Sequence, residues 1–232
     1  MLPLRDEIPR RHFPLVTITI IAINVVVYLY QIMLPERELS RLVWQMGIVP
    51  LRVVSHLSLP AALTFITAMF MHGGFLHIFG NMLYLYIFGD NVEDVLGHVL
   101  YAIVYLLFGI GASLAQIAVA PRSNIPTIGA SGAIAGVLGA YFVFFPRARV
   151  QYLVTLGYFV RFVELPALIA LGGWFILQFL SGLFSLGIGQ VGGVAWFAHI
   201  GGFALGLAGG AVCKLLGCQP RRPTLPLYDS YW

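Results

Sequence analysis

Charged residues are scarce in this chain of 232 residues: 9% are Asp, Glu, Lys or Arg, whereas 59% are hydrophobic. Soluble domains usually contain about 25% charged and 45–50% apolar residues. The few charges leave five long charge-free stretches, at residues 12–35, 53–89, 95–121, 123–146 and 165–213. A membrane-spanning helix needs about 20 mainly apolar residues. The composition therefore excludes a soluble globular protein, a disordered chain and a nucleic-acid binder that works through a basic face.

Cysteine is equally scarce, since Cys213 and Cys218 are the only two in the chain. Their spacing, with no His or carboxylate nearby, is poor for zinc, and we expect neither a metal nor a cofactor. Both lie at the end of the last hydrophobic stretch, which we place on the cytoplasmic side. Because thiols are kept reduced there, we expect no disulfide and no chemical role; acylation is the alternative.

The charge-free stretches predict an all-α polytopic membrane protein with six transmembrane helices in one bundle. Gly73 and Gly74 divide the second stretch, so that a segment lying at the interface, about 57–70, precedes the second span. We expect an N-terminal segment (1–12), a six-helix domain (13–216) and a C-terminal tail (217–232). The predicted spans are about 13–33, 75–89, 99–119, 131–145, 165–184 and 194–216.

Basic residues indicate the orientation, because cytoplasmic loops carry an excess of Lys and Arg. With six spans both termini share one side, and that side holds nine of the 13 basic residues. We therefore expect a multi-pass protein of the cell (inner) membrane with both termini in the cytoplasm. The nine are Arg5, Arg10, Arg11, Arg147, Arg149, Arg161, Lys214, Arg221 and Arg222.

Polar residues inside membrane spans are costly and usually functional. His77, Ser131 and His199 lie near the starts of the second, fourth and sixth spans, which all run in the same direction. The three should therefore share one depth, and Asn81 lies one helical turn from His77 on the same face. The polar residues in or next to the spans are Asn24, His72, His77, Asn81, Ser131, Gln178 and His199.

Small residues recur every four positions in two of the spans. Gly132, Gly136 and Ala140 lie in the fourth span, and Gly202, Gly206 and Gly210 in the sixth. Such stripes let helix backbones approach closely in lipid. We expect the two helices to pack together and to bring Ser131 against His199.

This combination indicates a hydrolase. A serine hydroxyl is a weak nucleophile until a base removes its proton, and His199 is the candidate base for Ser131. No Asp or Glu is predicted at that depth, so a dyad rather than a triad is expected. The Ser131 backbone N–H at a helix start, with His77 and Asn81, could donate to an oxyanion. Taken singly, each residue also has a structural explanation, such as hydrogen bonding between helices or within one.

Three segments together resemble the rhomboid family of intramembrane serine proteases. They are His72-Gly-Gly-Phe-Leu-His77-Ile-Phe-Gly-Asn81, Gly129-Ala-Ser131-Gly132, and Ala198-His199-Ile-Gly-Gly202-Phe-Ala-Leu-Gly206, with Gly89-Asp-Asn-Val-Glu-Asp94 as a further match. The resemblance covers the whole six-span core. A Gly-x-Ser-Gly segment alone would be weak evidence for a hydrolase. An α/β-hydrolase is excluded because the sequence shows no alternation of strands and helices.

The resemblance implies that Ser131 is the nucleophile and His199 the general base, with His77, Asn81 and the Ser131 N–H as the oxyanion hole. It implies structural roles near the site for His72, Gly129, Gly132, Gly202 and Gly206, and His72 is expected to brace the outer loop through hydrogen bonds. It also implies that residues 34–74 form a long outer loop embedded in one leaflet. The cleft would be gated by the fifth span and by the loop before the sixth.

The implied partners are the lipid bilayer and transmembrane protein substrates, which would be cut near the outer face of the membrane. No nucleic acid is expected, and the residues leave the natural substrate and the oligomeric state open. One position departs from the family: many members have an aromatic that stacks on the catalytic histidine where this chain has Ala135. Phe197, Phe203 or an aromatic of the second span would have to hold His199 instead.

Three other classes of protein compete with this interpretation. A transporter or channel would use His77, Asn81 and His199 to line a polar pathway. A zinc metalloprotease needs His-Glu-x-x-His, and neither His72 nor His77 is followed by Glu. A scaffold that binds spans without cutting them would not need both Ser131 and His199.

Overall fold

The computed structural model describes residues 2–156, 159–188 and 194–218, most of them helical. One 3₁₀ turn, Ala68–Phe70, follows the fourth helix. The helices are α1 (Leu15–Met33), α2 (Glu36–Met46), α3 (Pro50–Ser55), α4 (Leu59–Thr67), α5 (Phe75–Leu96), α6 (His98–Val119), α7 (Ser131–Phe144), α8 (Ala167–Ile188) and α9 (Trp196–Leu215). The strands are β1 (Leu2–Asp6), β2 (Arg149–Leu156) and β3 (Phe159–Pro166).

Each predicted span overlaps one helix of the structure. In the part of the chain that the structure describes, four helices are long and apolar enough to cross a membrane, namely α1, α6, α8 and α9. The segment Leu59–Phe70 and α5 together pass the same test as a pair bent by 81°. Helix α7 has only 14 residues. Length and composition therefore identify four or five crossings.

Helix α5 extends beyond the second predicted span, through the acidic residues to Leu96. One of these acidic residues, Glu93, is buried, with 2% of its surface exposed. Its hydrogen bonds explain why a carboxylate is tolerated there. Its carboxylate accepts hydrogen bonds from the backbone N–H groups of Val16 and Thr17, both at 2.8 Å, and from the Thr17 hydroxyl at 2.7 Å. The first N–H groups of a helix have no partner within it, so Glu93 caps the start of α1.

The prediction of an all-α fold is wrong at one end of the molecule, where an antiparallel sheet forms in the order β1-β2-β3. The hairpin β2–β3 joins α7 to α8, and the predicted N-terminal segment supplies β1. Val150 and Tyr152 of β2 are buried and Gln151 between them is not, which is the alternation of a strand with one buried face. This short period-2 pattern was available in the sequence.

The predicted packing of small residues is confirmed residue by residue. A Cβ atom added to Gly202 would collide with the carbonyl oxygen of Gly132, and one added to Gly206 would collide with that of Gly136. A Cβ added to Gly210 would likewise lie 3.2 Å from the Cα of Ala140. The backbones of α7 and α9 are therefore in direct contact along the whole stripe.

Loop residues 34–74 fold into α2, α3 and α4 and hold the segment that leads into α7. Ile48 and Thr127 exchange backbone hydrogen bonds of 3.0 and 2.8 Å, and the Gly129 N–H donates to the Ala68 carbonyl at 2.9 Å. Arg52 fixes the loop itself through bonds of 2.8 Å to the Trp44 and Gly47 carbonyls. The loop 34–74 thus sets the position of the chain just before Ser131.

The cysteine prediction is also wrong, because Cys213 and Cys218 form a disulfide. After α9 ends, the chain reverses through Gly217, whose φ of +93° suits glycine. The Cys218 N–H then donates to the Cys213 carbonyl at 2.9 Å, and the two Cα atoms lie 5.2 Å apart. Most of the predicted tail, residues 219–232, and residues 189–193 of the loop before α9 lie outside the described residues.

Candidate active site

Ser131 is the first residue of α7, and Gly129, two residues earlier, has a positive φ. Gly129 has φ of +128°, a conformation that L side chains rarely adopt, and a Cβ there would lie 2.7 Å from His77 Nε2. The backbone N–H of Ser131 belongs to the first turn of α7, where N–H groups have no partner inside the helix. The sequence at this turn therefore leaves both the hydroxyl and the amide of Ser131 free to face a neighbour.

His199 is that neighbour, on the first turn of α9. Its Nε2 lies 2.8 Å from Ser131 Oγ, which is a hydrogen-bond distance. The direct contact of α7 with α9 at Gly132 and Gly202, one residue after Ser131 and three after His199, brings the two side chains together. This is the separation that proton transfer from a serine to a histidine requires.

Helix α8 holds the other side of the His199 ring. Gln178 Oε1 lies 2.8 Å from His199 Nδ1, and the Trp174 ring, one turn earlier, lies 5.9 Å from the imidazole. Trp196 contributes an edge at 6.4 Å. Ala135 is fully buried and has no aromatic ring to stack on His199. The ring of Trp174 on α8 lies beside the imidazole instead. Phe197 and Phe203 make no ring contact with His199 within the described part of the chain, although Phe203 packs behind Trp174 at 6.0 Å.

His77 lies on the first turn of α5, and its surroundings determine its tautomer. The Gly73 N–H donates to His77 Nδ1 at 3.3 Å, so the hydrogen of the neutral ring is on Nε2. That nitrogen is the one beside Gly129, two residues before Ser131. His77 thus presents a hydrogen-bond donor towards the start of α7.

Asn81, one turn further along α5, is buried and presents a second donor. Its Nδ2 is buried without a hydrogen-bond partner in the described part of the chain. A buried N–H group that forms no hydrogen bond costs about 1–3 kcal/mol. Such a group in a cavity wall is available to a ligand.

His72 braces the outer loop through its backbone rather than its ring. The Gln31 side chain of α1 accepts from the His72 N–H at 3.0 Å and donates to its carbonyl at 3.2 Å. The ring packs edge-on against His77 at 5.0 Å. Neither ring nitrogen has a partner among the residues described.

These side chains line one cavity of about 390 Å³. Its polar wall contains His77, Asn81, Ser131, Gln178 and His199, and no carboxylate belongs to it among the residues described. A larger cavity of about 680 Å³ lies beside it, shares His77, and is lined by the loop that carries Arg122. No group of three His, Cys, Asp or Glu suited to a metal occurs within the described ranges. The described part of the cavity wall thus offers a serine hydroxyl, imidazole rings and amide groups.

Sequence reasoning missed the contact of α8 with His199. Gln178 is the only amide side chain of α8, and Trp174 lies four residues before it, so both fall on one helical face. This spacing was visible in the sequence. The direction in which the face points depends on how α8 packs.

Comparison with known proteins agrees with the motifs. Residues 60–215 match the family described as Rhomboid domain. RHOMBOID-like protein 4 of Arabidopsis thaliana is 34% identical over 61% of this chain and 32% of its own length. Rhomboid protein 1, mitochondrial, of Saccharomyces cerevisiae is 29% identical over 69% of this chain and 44% of its own length. Rhomboid protease GluP of Bacillus subtilis is 36% identical over 40% of this chain and 18% of its own length.

The chain therefore spans less than half the length of these curated relatives. One of them is named as mitochondrial. The family match covers well over half of the chain and includes all the residues of the cavity's polar wall. With its apolar helices and its serine and histidine in hydrogen-bond contact, this chain belongs to the rhomboid family.

Proposed function

We propose that the protein is an intramembrane serine endopeptidase that uses Ser131 and His199. The observation that carries the proposal is the 2.8 Å separation between Ser131 Oγ and His199 Nε2 at the wall of a cavity. Membership of the rhomboid family and the similarity to Rhomboid protease GluP support it. In the described cavity lining, the contact between Ser131 and His199 pairs a hydroxyl with an imidazole nitrogen, which is the arrangement that activates a serine nucleophile.

The reaction follows from the positions of the donors and acceptors. His199 Nε2 takes the Ser131 hydroxyl proton as Oγ attacks the substrate carbonyl carbon, and the carbonyl oxygen becomes negative. The Ser131 N–H, Asn81 Nδ2 and His77 Nε2 donate hydrogen bonds to this oxyanion. The protonated His199 then gives its proton to the leaving amine, and an acyl-enzyme remains on Ser131. Water, activated by His199, releases the second product.

The substrate is a transmembrane segment of another membrane protein. His77, Ser131 and His199 all lie on first turns, of α5, α7 and α9, at the end of the bundle opposite the sheet. We place the sheet end and both termini in the cytoplasm of a cell membrane, with six crossings and the outer loop embedded in one leaflet. Cleavage then occurs near the outer face.

The test is cleavage of a model substrate with one transmembrane segment by the purified protein in detergent and in liposomes. Ser131→Ala and His199→Ala should each abolish cleavage while the far-UV spectrum and the thermal unfolding temperature stay close to those of the parent. A chelator should leave the rate unchanged. Cleavage by Ser131→Ala at the parent's rate would refute the proposal.

Labelling with a fluorophosphonate gives an independent test, because the chain contains an internal comparison. Ser113 lines the same cavity, but its hydroxyl donates to the Gly109 carbonyl of its own helix at 2.8 Å. The reagent should modify Ser131 and leave Ser113 untouched, and His199→Ala should prevent the reaction. Modification of Ser113 instead of Ser131 would contradict the assignment of the nucleophile.

A further inference from the structure

Gln178 is the only amide side chain of α8, in which the other polar side chains are the hydroxyls of Ser181 and Ser185. Its neighbours Leu177 and Leu180 are mainly exposed on the outer side of the bundle. Its Oε1 lies 2.8 Å from Nδ1 of the His199 ring. Gln178 is half-buried. Burying even part of an amide among apolar groups is costly unless it is hydrogen-bonded, and here the hydrogen bond is made to the ring that contacts Ser131.

We infer that Gln178 is a positioning residue that completes a Ser131–His199–Gln178 group with a neutral third member. The inference rests on the proposed function, in which Ser131 and His199 remain the catalytic pair and Gln178 acts through His199.

The direction of the hydrogen bond carries the argument. A glutamine Oε1 can only accept, so His199 Nδ1 must carry the hydrogen. In the neutral ring Nε2 is then unprotonated and faces Ser131 Oγ at 2.8 Å. The acceptor at Nδ1 thus selects the tautomer that can take the serine proton, as the carboxylate does in a triad. Unlike a carboxylate, the amide brings no charge into the apolar interior.

The contacts around Gln178 fix the same ring in a second direction. Trp174, one turn away on α8, packs against the imidazole at 5.9 Å. Behind Trp174 lies Phe203 of α9, which also stacks on Phe175 of α8 at 4.7 Å. The aromatic contacts set the plane of the ring, and the Gln178 hydrogen bond sets its rotation within that plane.

Two substitutions at Gln178 separate positioning from structure. Gln178→Met keeps the length and volume of the side chain and removes the acceptor. Gln178→Glu keeps the acceptor and adds a charge next to Nδ1. Both are measured in liposomes with the model substrate, as kcat, KM and the pH profile of kcat/KM. Leu177→Met, on the neighbouring outward-facing residue, serves as the matched control. Ser131-dependent cleavage by the parent is established first, so that failure of the proposed function is recognised separately.

We expect Gln178→Met to lower kcat about tenfold, which is the effect of losing one neutral hydrogen bond, with KM unchanged. In Gln178→Glu the acid limb of the profile should move to higher pH, because a carboxylate beside Nδ1 stabilises the protonated ring. Leu177→Met should match the parent. A parental kcat for Gln178→Met, a change in KM alone, or a parental pH profile for Gln178→Glu would each overturn the inference.

Discussion

Gly206 of α9 lies directly against the backbone carbonyl of Gly136 of α7, with no room for a side chain between them. This contact and the one between Gly202 and Gly132 set the distance between the helices that carry His199 and Ser131. The geometry of the reactive pair therefore depends on glycines that touch no substrate.

Gly206→Ala should separate α7 from α9 and lower the thermal unfolding temperature, because overpacking a tight contact costs about 1–3 kcal/mol. Cleavage should fall with it, since Ser131 and His199 move apart. Gly209→Ala is the control, because a Cβ there meets Phe108 only at an ordinary 3.4 Å. Equal behaviour of the two variants in thermal unfolding would show that the stripe does not determine the helix spacing.

Gly129→Ala should reduce kcat by about 10²-fold, comparable to loss of one oxyanion donor. The new methyl group would meet His77 Nε2 and would also strain a backbone held at φ of +128°. Gly173→Ala on α8, where a Cβ meets nothing within 4 Å, is the matched substitution. Steady-state kinetics on both variants make the comparison, and a Gly129→Ala enzyme as fast as Gly173→Ala would disprove the close approach.

Asn81→Ala should lower kcat by about 10²–10³-fold and change KM little, because the oxyanion forms only in the transition state. Asn24 provides the comparison, since it is also buried but donates to the Ile20 carbonyl of its own helix at 2.8 Å. Asn24→Ala should retain most of the parent's turnover. If Asn81→Ala weakened binding as much as turnover, an oxyanion role would be untenable.

Glu93→Ala should destabilise the protein by about 2–3 kcal/mol, because two N–H groups at the start of α1 and the Thr17 hydroxyl lose their buried acceptor. Asp94→Ala should cost less, since its partners, the N–H groups of Arg11 and His12, lie in an exposed segment. Chemical denaturation in detergent measures both. A larger loss for Asp94→Ala would contradict the capping role of Glu93.

Asp6 should make stability depend on pH through the docking of β1. Burial, with repulsion from Glu7, raises the pKa of Asp6 from 3.8 to about 6, although Tyr141 donates to the carboxyl at 2.6 Å. A raised carboxyl pKa in the folded state means that the contribution of Asp6 is complete below about pH 4 and is lost as the pH rises through about 6.

The Asn side chain of the Asp6→Asn variant cannot ionise, so this part of the pH dependence should disappear. The unfolding temperature of the variant minus that of the parent should be a few degrees larger at pH 7 than at pH 4. Thermal unfolding at a series of pH values, with Glu7→Gln as the control, measures the difference. Parallel curves for Asp6→Asn and the parent would show that ionisation of Asp6 is not linked to folding.

Hydrophobicity and spacing predicted the helices and the α7–α9 contact because lipid requires long apolar segments and close packing requires small residues. The same reasoning predicted that Ser131 and His199 would meet. It missed the sheet, since Val150 and Tyr152 alternate over too short a segment beside long helices. It missed the Cys213–Cys218 disulfide because the two cysteines meet only where the chain reverses at Gly217, and the hydrophobic pattern does not show that reversal. The partner of His199 Nδ1 was hidden because the rotation of α8 is decided by packing with α9.

Helix α8 forms a wall of the cavity and also carries Gln178, which we infer orients His199. Trp174 and Gln178 share one face, so a displacement of α8 away from α9 withdraws both contacts from His199 together. If a peptide entered the cavity by displacing α8, the His199 ring would lose these contacts and could rotate. Proton transfer from Ser131 to His199 would then require α8 to return to its position. Admission of a chain and its hydrolysis would then occur one after the other, with α8 as the element that enforces the order.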